Sequence, residues 1–110
     1  MKPYIHLEEA LEKQKANGGG LRFLGTDNGC VAGCCSGITV YSGTEYGFGG
    51  VHDDQEGFFV LSGEGYAKLD DLEFEVYPGT SFVALPGVKH TVKSKSPDEP
   101  VKVFWFHSAI

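Results

Sequence analysis

Residues 50–63 read GVHDDQEGFFVLSG, and residues 79–90 read GTSFVALPGVKH. Glycine opens both segments and closes the first, and between them they contain two histidines and one glutamate, which are His52, His90 and Glu56. Imidazole nitrogens and carboxylate oxygens are common ligands of divalent transition metals. We therefore take His52, Glu56 and His90 as candidate ligands of a single metal ion.

The spacing inside the first segment requires a turn if His52 and Glu56 are to share an ion. In one straight strand the two residues would lie roughly 13 Å apart, because each residue advances about 3.3 Å. Metal–ligand bonds are only about 2 Å long. Residues 53–55 read DDQ, which is typical of a turn. The sequence thus predicts that His52 and Glu56 face each other across a hairpin, and that His90 follows the Pro-Gly turn at residues 86–87.

With these residues the chain resembles the cupin superfamily, whose paired motifs have the form G-x5-H-x-H-x3-4-E-x6-G and G-x5-P-x-G-x2-H-x3-N. His52 falls on the second His of the first motif, Glu56 on its Glu and Gly63 on its closing Gly. The second motif is matched by Gly79, Gly87 and His90. The resemblance runs from about residue 43 to about residue 92. It implies an all-β fold, the jelly-roll or double-stranded β-helix barrel.

Three positions depart from these motifs. Gly50 replaces the first His, Leu85 stands at the Pro position, and Ser94 stands at the closing Asn. A typical cupin offers three His and one Glu, so the resemblance implies a site with one ligand fewer. Two His and one carboxylate suit Fe(II) and leave positions open for substrate, although Mn, Ni and Zn also accept such ligands. Reduced ligation could instead mean that metal binding has been lost; we favour binding, because the other ligands are retained.

Composition and charge describe one domain, residues 1–110, and argue against several classes of protein. A chain of 110 residues, 41% of them hydrophobic, is long enough for one core. The formal charge of -6 argues against a surface that binds nucleic-acid phosphates. Apolar runs fall short of the roughly 20 residues that span a bilayer, and the N-terminal residues lack the apolar core of a signal peptide. We expect a cytoplasmic protein with no nucleic-acid or membrane partner.

The chain predicts one helix followed by strands. Residues 6–16 carry Leu7 and Leu11 at helical spacing, before three glycines at 18–20, and this helix is expected outside a barrel or against a partner subunit. The predicted strands are residues 21–24, 31–41, 46–52, 56–69, 72–76, 80–85, 89–93 and 101–107. Strands and helices do not alternate, which argues against a parallel doubly wound sheet and favours a jelly-roll barrel.

Other side chains are weaker candidates for a pocket. Tyr41 and Tyr46 lie on predicted strands that lead to His52 and would line the pocket as hydrogen-bond donors or weak acids. His107 shares its parity with the inward apolar residues of the last strand, so it would replace the missing His or carry protons. A histidine that simply meets solvent near the C-terminal end is the favoured alternative. Gly50 would give substrate room to approach the ion.

Three cysteines, Cys30, Cys34 and Cys35, form a C-x3-C-C cluster. An odd number of cysteines without a secretion signal is typical of reduced thiols. Cys34 and Cys35 would point to opposite faces of a strand, and one of them is interpreted as a small buried hydrophobic residue. A redox or accessory metal role is the alternative.

Two classes of function follow from the candidate ligands and the resemblance. The first is a metal-dependent enzyme acting on a small molecule, of the dioxygenase, isomerase or lyase type. The second is a module that binds or senses a small ligand without catalysis, with or without a metal. An interaction protein whose barrel is only a scaffold is a third possibility. Cupins commonly pair through β-strands, so the resemblance also implies a homodimer.

Overall fold

The computed structural model describes residues 1–108. Within this range the chain forms one α-helix, one short 3-10 helix and eight strands. The helix α1 spans Leu7–Asn17, and the 3-10 helix spans Thr26–Asn28. The strands are β1 Leu21–Arg22, β2 Cys35–Tyr41, β3 Gln55–Ser62, β4 Gly65–Leu69, β5 Leu72–Val76, β6 Ser81–Ala84, β7 His90–Ser94 and β8 Val101–Ser108.

The strands form two antiparallel sheets. The larger sheet has the order β1-β2-β8-β3-β6, and the smaller has the order β5-β4-β7. Strands that follow each other in the chain often lie in different sheets or are not hydrogen-bonded neighbours, as in a jelly roll. The predicted all-β fold with one short N-terminal helix is therefore confirmed. Among residues 1–108, no helix has the length and apolar character that crossing a membrane requires.

Side chains of both sheets meet in one core. Alternate residues of a strand point to opposite faces, so Val101, Val103 and Trp105 of β8 all face inward and are buried. Phe58 of β3, opposite Trp105, is 1% exposed and stacks on Phe82 with ring centroids 4.6 Å apart. The smaller sheet contributes buried Ala67, Val76 and Val92. Burying a side chain of this kind contributes about 1.5–3 kcal/mol, so these residues hold the sheets together.

The helix and one turn agree well with the sequence prediction. α1 ends at Asn17, where Gly18 adopts a φ of 74° that favours glycine. It contacts β1 at the edge of the larger sheet, where Ala10 is buried. Residues 70–71, which separate the strands predicted at 56–69 and 72–76, form the tight turn that joins β4 to β5, with Leu69 paired to Leu72.

The strands predicted at residues 21–24 and 31–41 are shorter in the structure, where β1 is Leu21–Arg22 and β2 is Cys35–Tyr41, and two further predicted strands differ more. The predicted strand at residues 56–69 is broken at Gly63, whose φ of 86° and close approach to the Pro100 carbonyl exclude a side chain. The predicted strand at residues 46–52 is reduced to a single bridge between Gly50 and His90. The predicted hairpin is wrong too, because the chain leaves the smaller sheet at Gly50 and enters the larger one at Gln55.

Candidate metal centre

Glu56 lies at the centre of the site, near the beginning of β3. It pairs with His107 of β8 on one side and with Ala84 of β6 on the other. Its side chain is only 8% exposed. A carboxylate with so little access to water requires compensating partners, because burying an isolated charge is costly.

Two histidines reach Glu56 from different directions. His90 is the first residue of β7, and two backbone hydrogen bonds of 2.9 Å tie it to Gly50. His52 lies in the bend that carries the chain from one sheet to the other, and the Gly87 N–H donates to its carbonyl. The bend brings Nε2 of His52 within 3.3 Å of Glu56 Oε1, and Nε2 of His90 lies 3.2 Å from the same oxygen.

These short separations are not hydrogen bonds. Among the described residues, Glu56 Oε1 and His90 Nδ1 are buried polar atoms without a hydrogen-bond partner. An unsatisfied buried polar group costs about 1–3 kcal/mol, and more when it is charged. The imidazoles therefore surround the carboxylate oxygen without satisfying it, and this is the arrangement expected when the shared partner is an ion.

The separations also fit the geometry of a metal site. Two ligand atoms that are each about 2.1 Å from one ion lie about 3.0 Å apart at a right angle and about 3.4 Å apart at the tetrahedral angle. The distances from Glu56 Oε1 to the Nε2 atoms of His52 and His90 fall in this interval. One ligand atom from each of these three residues lies within 4.8 Å of the others. The residues present thus fit a divalent transition metal.

A third imidazole, that of His107, borders the same carboxylate. Its Nε2 is 3.4 Å from Glu56 Oε1, and its side chain is 14% exposed. The favoured prediction that His107 meets solvent is therefore wrong. The prediction from strand parity is correct, because His107 points inward like Trp105 of the same strand. The ring centroids of the two residues lie 5.4 Å apart.

Asp54 is a member of the site that the sequence prediction missed. Its two carboxylate oxygens lie 3.0 and 3.1 Å from His107 Nδ1, and this hydrogen bond is the main cause that lowers the pKa of Asp54. Asp54, His52 and His107 form a second group with metal-ligand spacing, which shares His52 with the first. Asp54 lies in a stretch that the sequence marks as a turn, where side-chain direction has no periodicity.

Gly50, where a typical cupin has a histidine, faces the two ligand imidazoles. A Cβ atom at this position would lie 3.0 Å from His90 Nε2 and Cε1, and 3.4 Å from His52 Nε2. The rings therefore occupy part of the space that a side chain would need. Gly50 also borders a cleft of about 370 Å³, whose lining includes Tyr41, Glu45 and His90.

The two tyrosines have different surroundings. Tyr41 lines this cleft, and burial together with the nearby Glu56 charge raises its pKa to about 12. Tyr46 does not line it; its hydroxyl donates to Glu73 at 2.7 Å, and Lys93 Nζ lies 4.5 Å from its ring centroid. The structure therefore does not place Tyr46 in this cleft as the sequence predicts, because the contact with Glu73 of β5 holds its hydroxyl outside.

The cysteines contain free thiols. Cys34 is exposed, whereas Cys35 pairs with His107 in register and packs against the core. Burial raises the pKa of the Cys35 thiol. Cys35 is thus the small, partly buried residue that the sequence predicts, but Cys34 precedes β2, so the two cysteines do not lie on opposite faces of one strand as expected.

Comparison with solved structures shows the same fold. A cupin protein from Bacteroides fragilis is 20% identical with a TM-score of 0.70, covering 99% of this chain and 86% of that chain. A cupin 2 domain-containing protein from Halorhodospira halophila is 17% identical with a TM-score of 0.68, covering 81% and 62%. A protein described as FeII HppE in complex with substrate is 19% identical with a TM-score of 0.63, covering 69% and 46%. The chain thus spans less than two thirds of the length of these last two proteins.

These similarities are at the level of the fold, since each identity is low. No curated protein matches the chain. A family model described as Cupin domain matches residues 39–107, which is more than half of the sequence. The match includes the last three residues of β2, all of β3 to β7, most of β8, and each of the residues around Glu56. The chain therefore belongs to the cupin family.

Proposed function

We propose that this cupin binds a divalent transition metal through His52, Glu56 and His90 and acts on a small-molecule substrate. The observation that carries the proposal is the position of Glu56 Oε1, which is buried, lacks a hydrogen-bond partner among the described residues, and has imidazole nitrogens 3.2 and 3.3 Å away. A metal ion would satisfy all of these atoms at once.

The donor set restricts the class of metal. Imidazole and carboxylate ligands together suit Fe, Mn, Ni or Zn, whereas calcium and magnesium prefer oxygen ligands. Such an ion, when bound, polarises a carbonyl, activates water or, if it is iron, binds dioxygen. A structural neighbour is described as an FeII HppE complex with substrate, so this fold can hold iron, and dioxygenase, isomerase and lyase reactions all fit the same ligands.

The cleft beside Gly50 is the proposed substrate site. Its volume of about 370 Å³ suits a small molecule. Tyr41, with its pKa raised to about 12, stays protonated at neutral pH and so offers substrate a hydrogen-bond donor. The exposed carboxylate of Glu45 lies at the same cleft and offers an acceptor. His90 borders both the cleft and Glu56, so a molecule in the cleft would lie beside the ion.

The proposal is tested by the metal content of protein purified without a histidine tag. We expect about one equivalent of a transition metal in the natural protein, and its loss in His52→Ala and His90→Ala. His6→Ala is the matched control, because His6 is exposed on the N-terminal side of α1. Absence of metal from the natural protein after incubation with Fe(II), Mn(II), Ni(II) and Zn(II), or metal that remains in both site variants, would contradict the proposal.

A ligand-binding module without catalysis is the second candidate. Tyr41 favours it, because a phenol that stays neutral positions a ligand but does not remove a proton at neutral pH. The two functions differ in their dependence on metal. Ligands selected by thermal shift should bind equally well with and without metal if the cleft only binds. They should require metal, and be converted, if the protein is an enzyme.

We further propose that the protein pairs as a homodimer through the outer face of the larger sheet. Four apolar side chains on this face are each a little under half exposed, and they are Phe59, Leu61, Val83 and Phe106. Residues 58–61 of β3 are apolar on both faces of the strand, with Phe58 and Val60 buried on the inner face. In the single chain only the inner face is covered, so pairing of two copies would cover the outer one.

A further inference from the structure

His107 has the position of a ligand although the family motifs do not include it. β8 pairs with β3 so that His107 lies directly opposite Glu56, and the register from Gln55 to Val60 is continuous. Its ring is inward and mostly buried, with its centroid 4.8 Å from that of His52. Three of the four histidines of the chain therefore surround one carboxylate.

The contact with Asp54 fixes which nitrogen of His107 is free. Both Asp54 oxygens lie within hydrogen-bond distance of Nδ1, so Nδ1 donates its proton to this carboxylate. Nε2 of the neutral ring then carries a lone pair. A carboxylate that holds a histidine in this way is the usual partner of a metal-binding imidazole, because it sets the tautomer and the orientation of the ring.

The free nitrogen faces Glu56 across a gap that a metal ion would fill. Nε2 of His107 is 3.4 Å from Glu56 Oε1, nearly the same distance as the corresponding atoms of His52 and His90. Two lone pairs that face each other repel unless a cation lies beside both. The separation again equals that of two ligands of one ion, which is about 3.0–3.4 Å.

We propose that His107 is a fourth protein ligand of the metal ion, replacing from β8 the histidine that is missing at Gly50, and that Asp54 is its positioning residue. This inference rests on the proposed metal site. Asp54 acts through His107 rather than as a ligand, because its oxygens already accept the Nδ1 proton. The site would then have three imidazoles and one carboxylate, the donor number of a typical cupin, with one imidazole supplied by a different strand.

The first test measures metal affinity and the number of bound nitrogens. Co(II) affinity is measured by competition with a chromophoric chelator, and the nitrogens are counted by electron paramagnetic resonance of the Cu(II) form. For His107→Ala and His107→Gln we expect affinity at least tenfold weaker than in the natural protein, and a count that falls from three nitrogens to two. His6→Ala is the control, and it should leave both quantities unchanged. Circular dichroism of the metal-free variants verifies that they are folded.

The second test separates the ligand from its positioning residue. Asp54→Asn should weaken metal affinity about 10–100-fold, the usual effect of losing such a partner, while three nitrogens remain bound. Asp53→Asn is the matched control, because Asp53 is the exposed neighbour in the same bend. A Cu(II) spectrum of Asp54→Asn with only two nitrogens would show instead that Asp54 is required for ligation itself, and would overturn its positioning role.

The outcomes distinguish this inference from the proposed function. If metal is lost in His52→Ala and His90→Ala but both His107 variants bind as tightly as His6→Ala with three nitrogens, the metal site stands and the assignment of His107 is overturned. If the natural protein binds no transition metal, both proposals fail. A loss of one bound nitrogen in both His107 variants, with no such loss in His6→Ala, supports the assignment.

Discussion

Gly50→Ala tests whether the imidazoles of His52 and His90 fill the space beside position 50 so tightly that even a methyl group displaces them. The added Cβ would lie 3.0 Å from His90 Nε2 and 3.4 Å from His52 Nε2. Ordinary contacts between such atoms are about 3.5–4.0 Å, so the His90 ring must move by roughly 0.5 Å. A metal site tolerates changes in ligand distance of only about 0.2 Å. We therefore expect the methyl group to weaken metal binding without touching a ligand chemically.

The expected size follows from the cost of crowding a packed site. One extra methyl group in such a place costs about 1–3 kcal/mol. If this strain falls on the metal-bound arrangement, the dissociation constant rises about 5-fold to 150-fold, because each 1.4 kcal/mol is about a factor of ten. A histidine at position 50 would bring the same Cβ. It should therefore weaken binding too, although the resemblance to a typical cupin would place a metal ligand at this position.

The assay is competition for Co(II) with a chromophoric chelator, and Gly47→Ala is the control. Gly47 borders the same cleft, but a Cβ there would have no atom within 4 Å among the described residues. Gly47→Ala should bind Co(II) as the natural protein does. Equal affinities for the two alanine variants would show that the rings adjust freely, and would refute the packing argument.

Three further predictions concern the carboxylate, the cleft and the outer face. Glu56→Gln should abolish metal binding and should not lower the metal-free stability, because the natural Oε1 has no hydrogen bond to lose and a neutral amide costs less to bury than an unsatisfied charge; a loss of more than about 1 kcal/mol in urea unfolding would reveal a structural ion pair instead. Tyr41 has a folded pKa of about 12 against an ordinary 10.0, so its contribution to stability is full below pH 10 and is lost as the pH rises towards 12, by about 1.4 kcal/mol per unit. Tyr41→Phe should reduce this alkaline slope in metal-free protein, whereas Tyr77→Phe, at a half-exposed residue, should not. Phe59→Glu should shift the protein from dimer to monomer in light scattering, and Leu72→Glu on the other sheet should not; a natural protein that is already monomeric would contradict the pairing.

The fold was accessible from the sequence because its signals are local. The residues of β5 alternate between apolar and acidic, and residues 18–20 end the helix with glycines, so the elements could be assigned from neighbouring residues. The broken strand at Gly63 was missed because the break depends on a distant contact with Pro100. A glycine within a strand indicates a bulge or the close approach of another backbone segment, but it does not identify that segment.

The site was accessible only where the family motif and strand parity apply. His52, Glu56 and His90 are motif positions, and the structure brings them together although the predicted hairpin between the first two is absent. The inward direction of His107 follows from parity along a regular strand. Asp54 lies in an irregular bend, where neither rule applies, and its contact with His107 joins residues 53 positions apart. Such a contact depends on the register between β3 and β8, which the sequence does not specify.

The proposed change of ligand has a consequence for access to the ion. Gly50 and His90 both border the cleft, whereas the residues that line it do not include His107. A histidine at position 50 would extend from a residue that lines the cleft, whereas His107 comes from β8, none of whose residues line it. Moving one donor to His107 would thus keep four protein ligands and leave the cleft side open to substrate. When every ligand comes from the two motifs, an added ligand takes space that substrate would use. With His107 as the fourth ligand, β8 would complete the ligand set and the segment around Gly50 would control substrate access.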